Sequence, residues 1–313
     1  MSDGSDHGRK RRTSDETTAS RAQSPLPFLV VANGAAGTAE QETVEAVVSV
    51  LSVRRGTEVV WTSSAEELDA ALDRLDGRHL VVAGGDGSLH LAVAGLRAQG
   101  RLDVPLGLVP LGTGNDFARG TGVPLDPEDA ARALLQARPR SVDLLVTDAG
   151  DVVVNAAHAG LGAAASQAAA GLKRAVGPLA YPLGALVAGV REQGFELEIT
   201  VDGRIVHRGP TLMVGITNGC SIGGGAELCG MASIDDGVAE AVVVTAVGPA
   251  ARIAFANALR GGTHLEREDV AVHHGTQITV SGESVRHVLD GELSEELDTL
   301  TYLLEPGAWR LLG

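Results

Sequence analysis

The chain has 313 residues, more than one hydrophobic core usually organises, so two domains are expected. Hydrophobic residues make up 44% of it but aromatic residues only 3%, so Val, Leu and Ala must fill the core. A formal charge of −15 argues against nucleic acid as the main partner, because duplex binding relies on cationic side chains that release counterions. The same charge argues against strong electrostatic adhesion to anionic membranes.

Residues 1–25 read as a disordered Ser/Thr/Asp-rich tail. Its basic cluster, Arg9 to Arg12, is better read as part of a solvated tail than as a weak tether to anionic lipid. No apolar stretch follows these residues as it would in a secretory signal, and no segment reaches 18 uninterrupted apolar residues. A cytoplasmic protein with at most peripheral membrane contact is the expectation. Cys220 and Cys229 match no zinc spacing and read as reduced, structural thiols.

From Leu26 a strand–helix alternation begins. Leu26–Ala32 is an apolar strand ending in the turn pair Asn33-Gly34. Val44, Val47, Val48 and Leu51 then mark one face of a helix over Ala39–Ser52. Strand Thr57–Trp61 leads to a helix capped by Ser63 or Ser64. His79–Ala83 is a third strand, followed by a Gly-rich loop and a helix from about Ser88 to Ala98. Leu106–Val109 is a fourth, followed by a second Gly-rich loop, and Asp126-Pro127 opens a helix through Gln136. This pattern predicts a parallel sheet with both faces covered, in which ligands bind beyond the carboxyl ends of the strands. Both Gly-rich loops fall there.

After about Val142 the texture changes. Glu196–Val201, Ile205–Ile216, Ala241–Val247, Val270–His273 and Gln277–Val280 read as strands, with Asp202-Gly203 a hairpin signal between the first two. Helices are expected over Ala164–Val190, broken at Gly177-Pro178, and over Pro249–Leu259. The fold class is therefore α/β plus β: a nucleotide-binding α/β domain over residues 26–142, then a mostly antiparallel β-domain over 143–313, whose extreme C-terminus packs back on the first.

Two loops carry chemistry. Gly84-Gly85-Asp86-Gly87-Ser88 follows a buried strand and enters a helix, so its backbone N–H groups and the helix dipole suit an anion. In Gly112-Thr113-Gly114-Asn115-Asp116, Thr113 and Asn115 can hydrogen-bond phosphate or ribose and Asp116 can orient a magnesium ion. Neither loop is a Walker P-loop or a dinucleotide fingerprint. Phosphoryl transfer also needs a group that takes a hydroxyl proton. Val288-Leu289-Asp290-Gly291-Glu292 supplies a candidate in Asp290, although Asp-Gly alone is an ordinary hairpin tip. Asp290 can serve only if the β-domain folds back over the nucleotide site.

Together these segments resemble the diacylglycerol kinase catalytic-domain family, which includes bacterial soluble lipid kinases, ceramide kinases and sphingosine kinases. The Gly84–Ser88 loop, the Pro110–Arg119 loop and the Asp290–Glu292 triplet carry the resemblance, together with Lys173-Arg174 to Tyr181 and Asn218 to Gly237. The resemblance implies an ATP- and magnesium-dependent kinase acting on a diacylglycerol-like lipid at a membrane surface. It implies that Gly84, Gly85, Asp86, Gly87 and Ser88 cradle the ATP phosphates, with Asp86 near the metal. Gly112, Thr113, Gly114 and Asn115 would line the nucleotide, and Asp116 would help hold the catalytic magnesium. Asp290 would be the general base with Glu292 beside it, and Asp236 would bind a structural magnesium.

Several positions depart from the pattern. Asn33 and Gly37 of the first loop survive, but its Pro and basic residue do not. His90-Leu91 replaces the usual Asn-Glu, and Gly230-Met231-Ala232 a Pro-x-Ala. The altered first loop motivates one alternative, a degenerate fold that binds nucleotide or lipid without turnover; a kinase for a soluble alcohol is a further reading, against which the whole motif set speaks. Gly162–Val190 could rest on a membrane interface or pack as an ordinary helix pair, and an edge of the β-domain offers a surface for a homodimer.

Overall fold

A computed structural model describes residues 26–35, 37–54, 56–160 and 194–313. The tail, the Ala164–Val190 helices and the Lys173–Tyr181 segment lie outside these residues.

The N-terminal half alternates as its periodicity predicts. β1 (Phe28–Asn33), α1 (Thr38–Ser52), β2 (Thr57–Thr62), α2 (Ala65–Asp73), β3 (His79–Gly84), α3 (Asp86–Ala98) and β4 (Pro105–Pro110) follow in order. They are succeeded by α4 (Asp116–Thr121) and α5 (Pro127–Leu134). Strands β2, β1, β3 and β4 lie side by side in that order, all parallel. Both faces of this sheet are covered, so its strands are apolar on both sides. Leu29, Val31, Leu80 and Val82 pack with α2 and α3, while Phe28, Val30, Val81 and Ala83 pack with α1 and α5. Ser64 caps α2 by accepting the Glu67 N–H, and Asp126 caps α5 through the N–H groups of Glu128 and Asp129. α3 begins at Asp86, two residues before the expected Ser88, because Gly85 takes the N-cap position.

The C-terminal half is antiparallel. β5 (Pro139–Thr147), β6 (Val152–Val153), β7 (Ala156–Gly160), β8 (Phe195–Val201), β9 (Arg204–Thr211) and β10 (Met213–Thr217) come first. The short pair β11 (Ser221–Ile222) and β12 (Ala226–Glu227) follows, then β13 (Ala239–Val244), α6 (Pro249–Arg260), β14 (Val270–Gly275), β15 (Gln277–Leu289) and β16 (Glu292–Leu312). The expected strand Ile205–Ile216 is two strands. The break falls at Leu212, whose N–H bonds Val244, so that β9 pairs with β8 while β10 pairs with β7 and β13. Asp202-Gly203 makes the expected tight turn, with φ of +47° and +76°.

The two halves share one mixed sheet. β16 runs 21 residues, pairs antiparallel with β15 and β5, and at Arg310 and Leu311 joins β4 in parallel. Trp309 on β16 is buried in the core of the first half, its ring 5.9 Å from that of Phe117 and its Nε1–H donating to the Asp143 carbonyl at 3.1 Å. The second half has its own core between its layers, built from residues such as Leu197, Val214, Val243 and Val280. Phe255 of α6 closes the outer face over Leu212 and Val242.

Candidate active site

The strand order β2-β1-β3-β4 reverses direction between β1 and β3. The chain leaves β1 towards β2 on one side and leaves β3 towards β4 on the other. Such a switch opens a crevice beyond the carboxyl ends of the two central strands. A pocket of about 220 Å³ lies there, lined by Asn33 after β1, by Thr62, Ser63 and Ser64 after β2, and by Ser88 and Leu91 of α3. Asn33 is braced by accepting the Ala35 N–H at 2.9 Å. Gly37 caps α1 nearby, with open space where a side chain would be.

The two Gly-rich loops touch through their backbones. A Cβ on Gly85 would lie 2.9 Å from the Gly112 Cα, and one on Gly112 would lie 2.6 Å from the Gly85 Cα. Only glycine permits this approach. Asp86 joins the same loops, accepting the N–H groups of Asp116 and Phe117 at 3.0 Å each. Asp116 in turn accepts the N–H groups of Gly224 and Gly225, at 2.8 and 2.6 Å, from the turn between β11 and β12. Burial holds the Asp116 carboxyl above its usual range, against the pull of the Gly224 amide and with the help of the Asp86 charge.

Asp86 and Asp116 both have a carboxylate oxygen within 4 Å of the point a Gly114 side chain would occupy. Among the described residues no group of three or more His, Cys, Asp or Glu side chains gathers as a metal cage. Two convergent carboxylates suit magnesium nonetheless, because that ion is commonly held by one or two carboxylates, with phosphates and water completing its shell. Asp236 is exposed and accepts the Val238 N–H; its neighbours Asp235 and Asp143 are engaged by Arg140 and by the amides of Gly237 and Gly307.

Asn115 adopts a left-handed backbone (φ +52°) and turns inward, donating its amide N–H to the Gly112 carbonyl at 2.7 Å. It braces the loop, while Thr113 is exposed. Gly84 lies under the Ser88 hydroxyl, with a Cβ there 2.5 Å from Oγ, whereas Gly87 faces open space.

Asp290 and Gly291 form the tip of the β15–β16 hairpin, with φ of +47° and +95°. The Asp290 N–H bonds the Ala156 carbonyl at 3.0 Å, which docks the tip on β7. Its carboxylate accepts three successive backbone N–H groups, from Val154 (2.6 Å), Asn155 (2.9 Å) and Ala156 (3.0 Å). A fourth partner, His90 Nδ1, lies 2.9 Å away on α3 of the first half. The hairpin therefore reaches the helix that leaves the Gly84–Ser88 loop. Glu292 is exposed beside it and adds to the negative field at His90.

The sequence marked His90 as a departure from the family pattern but did not show its contact with Asp290, and it did not reveal the roles of the amides of Val154–Ala156 and Gly224–Gly225.

Residues 27–147 match the diacylglycerol kinase catalytic domain, and residues 155–313 match the YegS C-terminal NAD kinase beta sandwich-like domain. The chain belongs to this lipid kinase family. A Stenotrophomonas maltophilia protein named "Probable lipid kinase YegS-like" is 33% identical over 66% of this chain and 67% of its own. A protein of the same name from Chromohalobacter salexigens is 36% identical, and the match spans about half of each, 53%. A solved structure of a diacylglycerol kinase from Bacillus anthracis superposes with a TM-score of 0.71 at 19% identity, over 92% of this chain and 96% of that one, which bears on the fold. The α/β half and the antiparallel β half are thus the expected architecture, and the chain is a kinase by family.

Proposed function

We propose that this kinase transfers the γ-phosphoryl group of ATP, with magnesium, to the hydroxyl of a diacylglycerol-like lipid presented at a membrane surface. The observation that carries this reading is the 2.9 Å contact between His90 on α3 and Asp290 on the β15–β16 hairpin. It brings a carboxylate of the second half to the helix that opens the nucleotide site of the first.

In this reading the pocket beyond β1 and β3 takes the nucleoside, its hydroxyl and amide side chains facing sugar and base. The open backbone at Gly87 and the start of α3 receive the phosphates. Asp86 and Asp116 would hold magnesium, which, when bound, neutralises charge on the transferring phosphoryl group. Asp86 and Asp116 also fix the two loops and the Gly224–Gly225 turn as one unit, so the metal and phosphate positions are set before substrate arrives. The acceptor hydroxyl loses its proton towards the Asp290 centre. Among the described residues no helix is long and apolar enough to cross a membrane, so the lipid would be met at a surface.

The test is competition. Purified protein with ATP and magnesium is offered diacylglycerol vesicles and soluble alcohols together, and phosphorylated products are detected by mass. Phosphorylated lipid supports the reading. Phosphorylated soluble alcohol with unmodified lipid contradicts it, and thermal stabilisation by ATP without any product points to a binding module.

A further inference from the structure

Asp86 and Asp116 belong to the Gly-rich loops of the first half, whereas Asp290 comes from a hairpin of the second. Phosphoryl transfer needs the two groups in fixed register, because attacking oxygen and phosphorus must be aligned at short range. The Val154–Ala156 segment that cradles Asp290 is itself gripped by residues 218–220, the strap that joins β10 to β11. Asn218 Nδ2 donates to the Val154 carbonyl at 2.9 Å, and the backbone N–H groups of Asn218 and Gly219 donate to the Asn155 carbonyl at 2.9 and 2.8 Å.

Asn155 extends this grip along the strap. Its backbone N–H holds Asp290 Oδ1 at 2.9 Å, while its side-chain Nδ2 donates to the Ser221 carbonyl at 2.7 Å. Ser221 then turns its hydroxyl to the Asp116 backbone carbonyl, donating at 3.1 Å. β11, which Ser221 begins, leads into the turn whose Gly224 and Gly225 amides hold the Asp116 carboxylate. Asn155 and Ser221 therefore span the way from Asp290 to Asp116. Both are buried, so a lost bond leaves its partner unpaired away from water. The fit has no slack: a Cβ on Gly219 would lie 2.1 Å from Asn155 Oδ1.

We propose that Asn155 is a positioning residue that, through Ser221, keeps Asp290 in register with Asp116. This rests on the kinase reading above. Asn155 contacts neither phosphate nor acceptor in this role; it sets where the proton acceptor stands relative to the metal carboxylate. The backbone N–H that holds Asp290 does not depend on the side chain, so Asn155→Ala keeps that bond and cuts the link to Ser221. Ser221→Ala keeps the carbonyl that Asn155 uses and cuts the link to Asp116. Because the two links act in series, cutting either one frees the same two ends.

With ATP, magnesium and diacylglycerol vesicles, Asn155→Ala and Ser221→Ala should each lower kcat by about 10- to 10²-fold while leaving KM for ATP and lipid nearly unchanged. The double variant should lose no more than the worse single one. Gly219→Ala, which pushes the Asn155 amide aside, should show the same split between kcat and KM. Hydrogen exchange followed by NMR on the ligand-free protein separates positioning from general weakening. In Asn155→Ala the amides of Gly224 and Gly225, which bond Asp116, should exchange roughly 10-fold faster, while those of β1 and β3 keep their wild-type rates. Either single variant, folded and with kcat within about twofold of wild type, overturns the proposal. So do fully additive losses in the double variant, or unchanged exchange at Gly224 and Gly225 in Asn155→Ala. If wild type phosphorylates no lipid, the kinase reading fails, and the exchange result, which needs no substrate, still decides whether Asn155 ties the two carboxylates.

Discussion

Two glycines in the proposed nucleotide site should respond in opposite ways to the same added methyl group. At Gly112 a Cβ would stand 2.6 Å from the Gly85 Cα and 2.8 Å from Asn115 Oδ1, where carbon atoms pack best at roughly 3.5–4 Å. The loops must then part by about 1 Å, an overpacking strain of ~1–3 kcal/mol. The same separation stretches the two hydrogen bonds from Asp116 and Phe117 to the Asp86 carboxylate, so about 3 kcal/mol is expected overall. For a chain of 313 residues that should lower Tm by about 5 °C. Gly87 is the second residue of α3 and has nothing within 4 Å of its Cβ position. Gly87→Ala should leave the ligand-free Tm unchanged or slightly raised, since alanine favours helix by up to ~1 kcal/mol. It should still weaken ATP binding, because the methyl group fills space proposed for phosphate oxygens. Scanning fluorimetry with and without ATP–magnesium, together with calorimetric Kd values, measures both effects. Wild-type melting of Gly112→Ala would refute the loop contact. Gly87→Ala that melts early but binds ATP normally would refute the phosphate role.

Trp309→Ala removes a side chain shared by β16 and the first core, at a cost of about 3–5 kcal/mol. Because β16 belongs to both halves, denaturation monitored by circular dichroism and by intrinsic fluorescence should stay a single transition, shifted to lower denaturant; two separate transitions would contradict the shared sheet. Acid should destabilise the second half. Burial holds His158 and His287 at about 4, and the charge of His158 adds to this at His287. Both stay neutral in the folded chain, while the unfolded chain takes up protons below about 6.5. Stability is therefore lost as pH falls from about 6.5 towards 4, by up to ~3 kcal/mol for each histidine. Urea midpoints at pH 7 and pH 5 should differ less in His287→Gln than in wild type, and an unchanged difference would remove His287 from the explanation.

The strands and helices of the first half were legible because their hydrophobic periodicity is local. Val44, Val47 and Leu51 face the core as their spacing predicts, and so do Leu29 and Val31. The Asp202-Gly203 turn was equally plain, since both residues must take positive φ. What escaped depends on long-range pairing. β16 contains Pro306-Gly307 and many acidic residues, and it is a strand only because β15, β5 and β4 supply partners at three places along it. In the site, the Gly-rich loops announced themselves through composition. The role of Asn115 did not, because an inward-facing amide and an outward-facing one have the same sequence. His90 and Asp290 stand 200 residues apart, and their meeting depends on a hairpin docking onto β7 through backbone groups of Val154–Ala156 that no side chain reveals.

The central claim is that the second half completes a lipid kinase site through Asp290. Its most direct test is mass detection of phosphorylated lipid after incubation with ATP, magnesium and diacylglycerol vesicles, comparing wild type with Asp290→Asn at matched ATP occupancy. Product from wild type, reduced by about 10²-fold or more in the variant with ATP binding retained, is the predicted result. Equal product from both proteins would contradict the account.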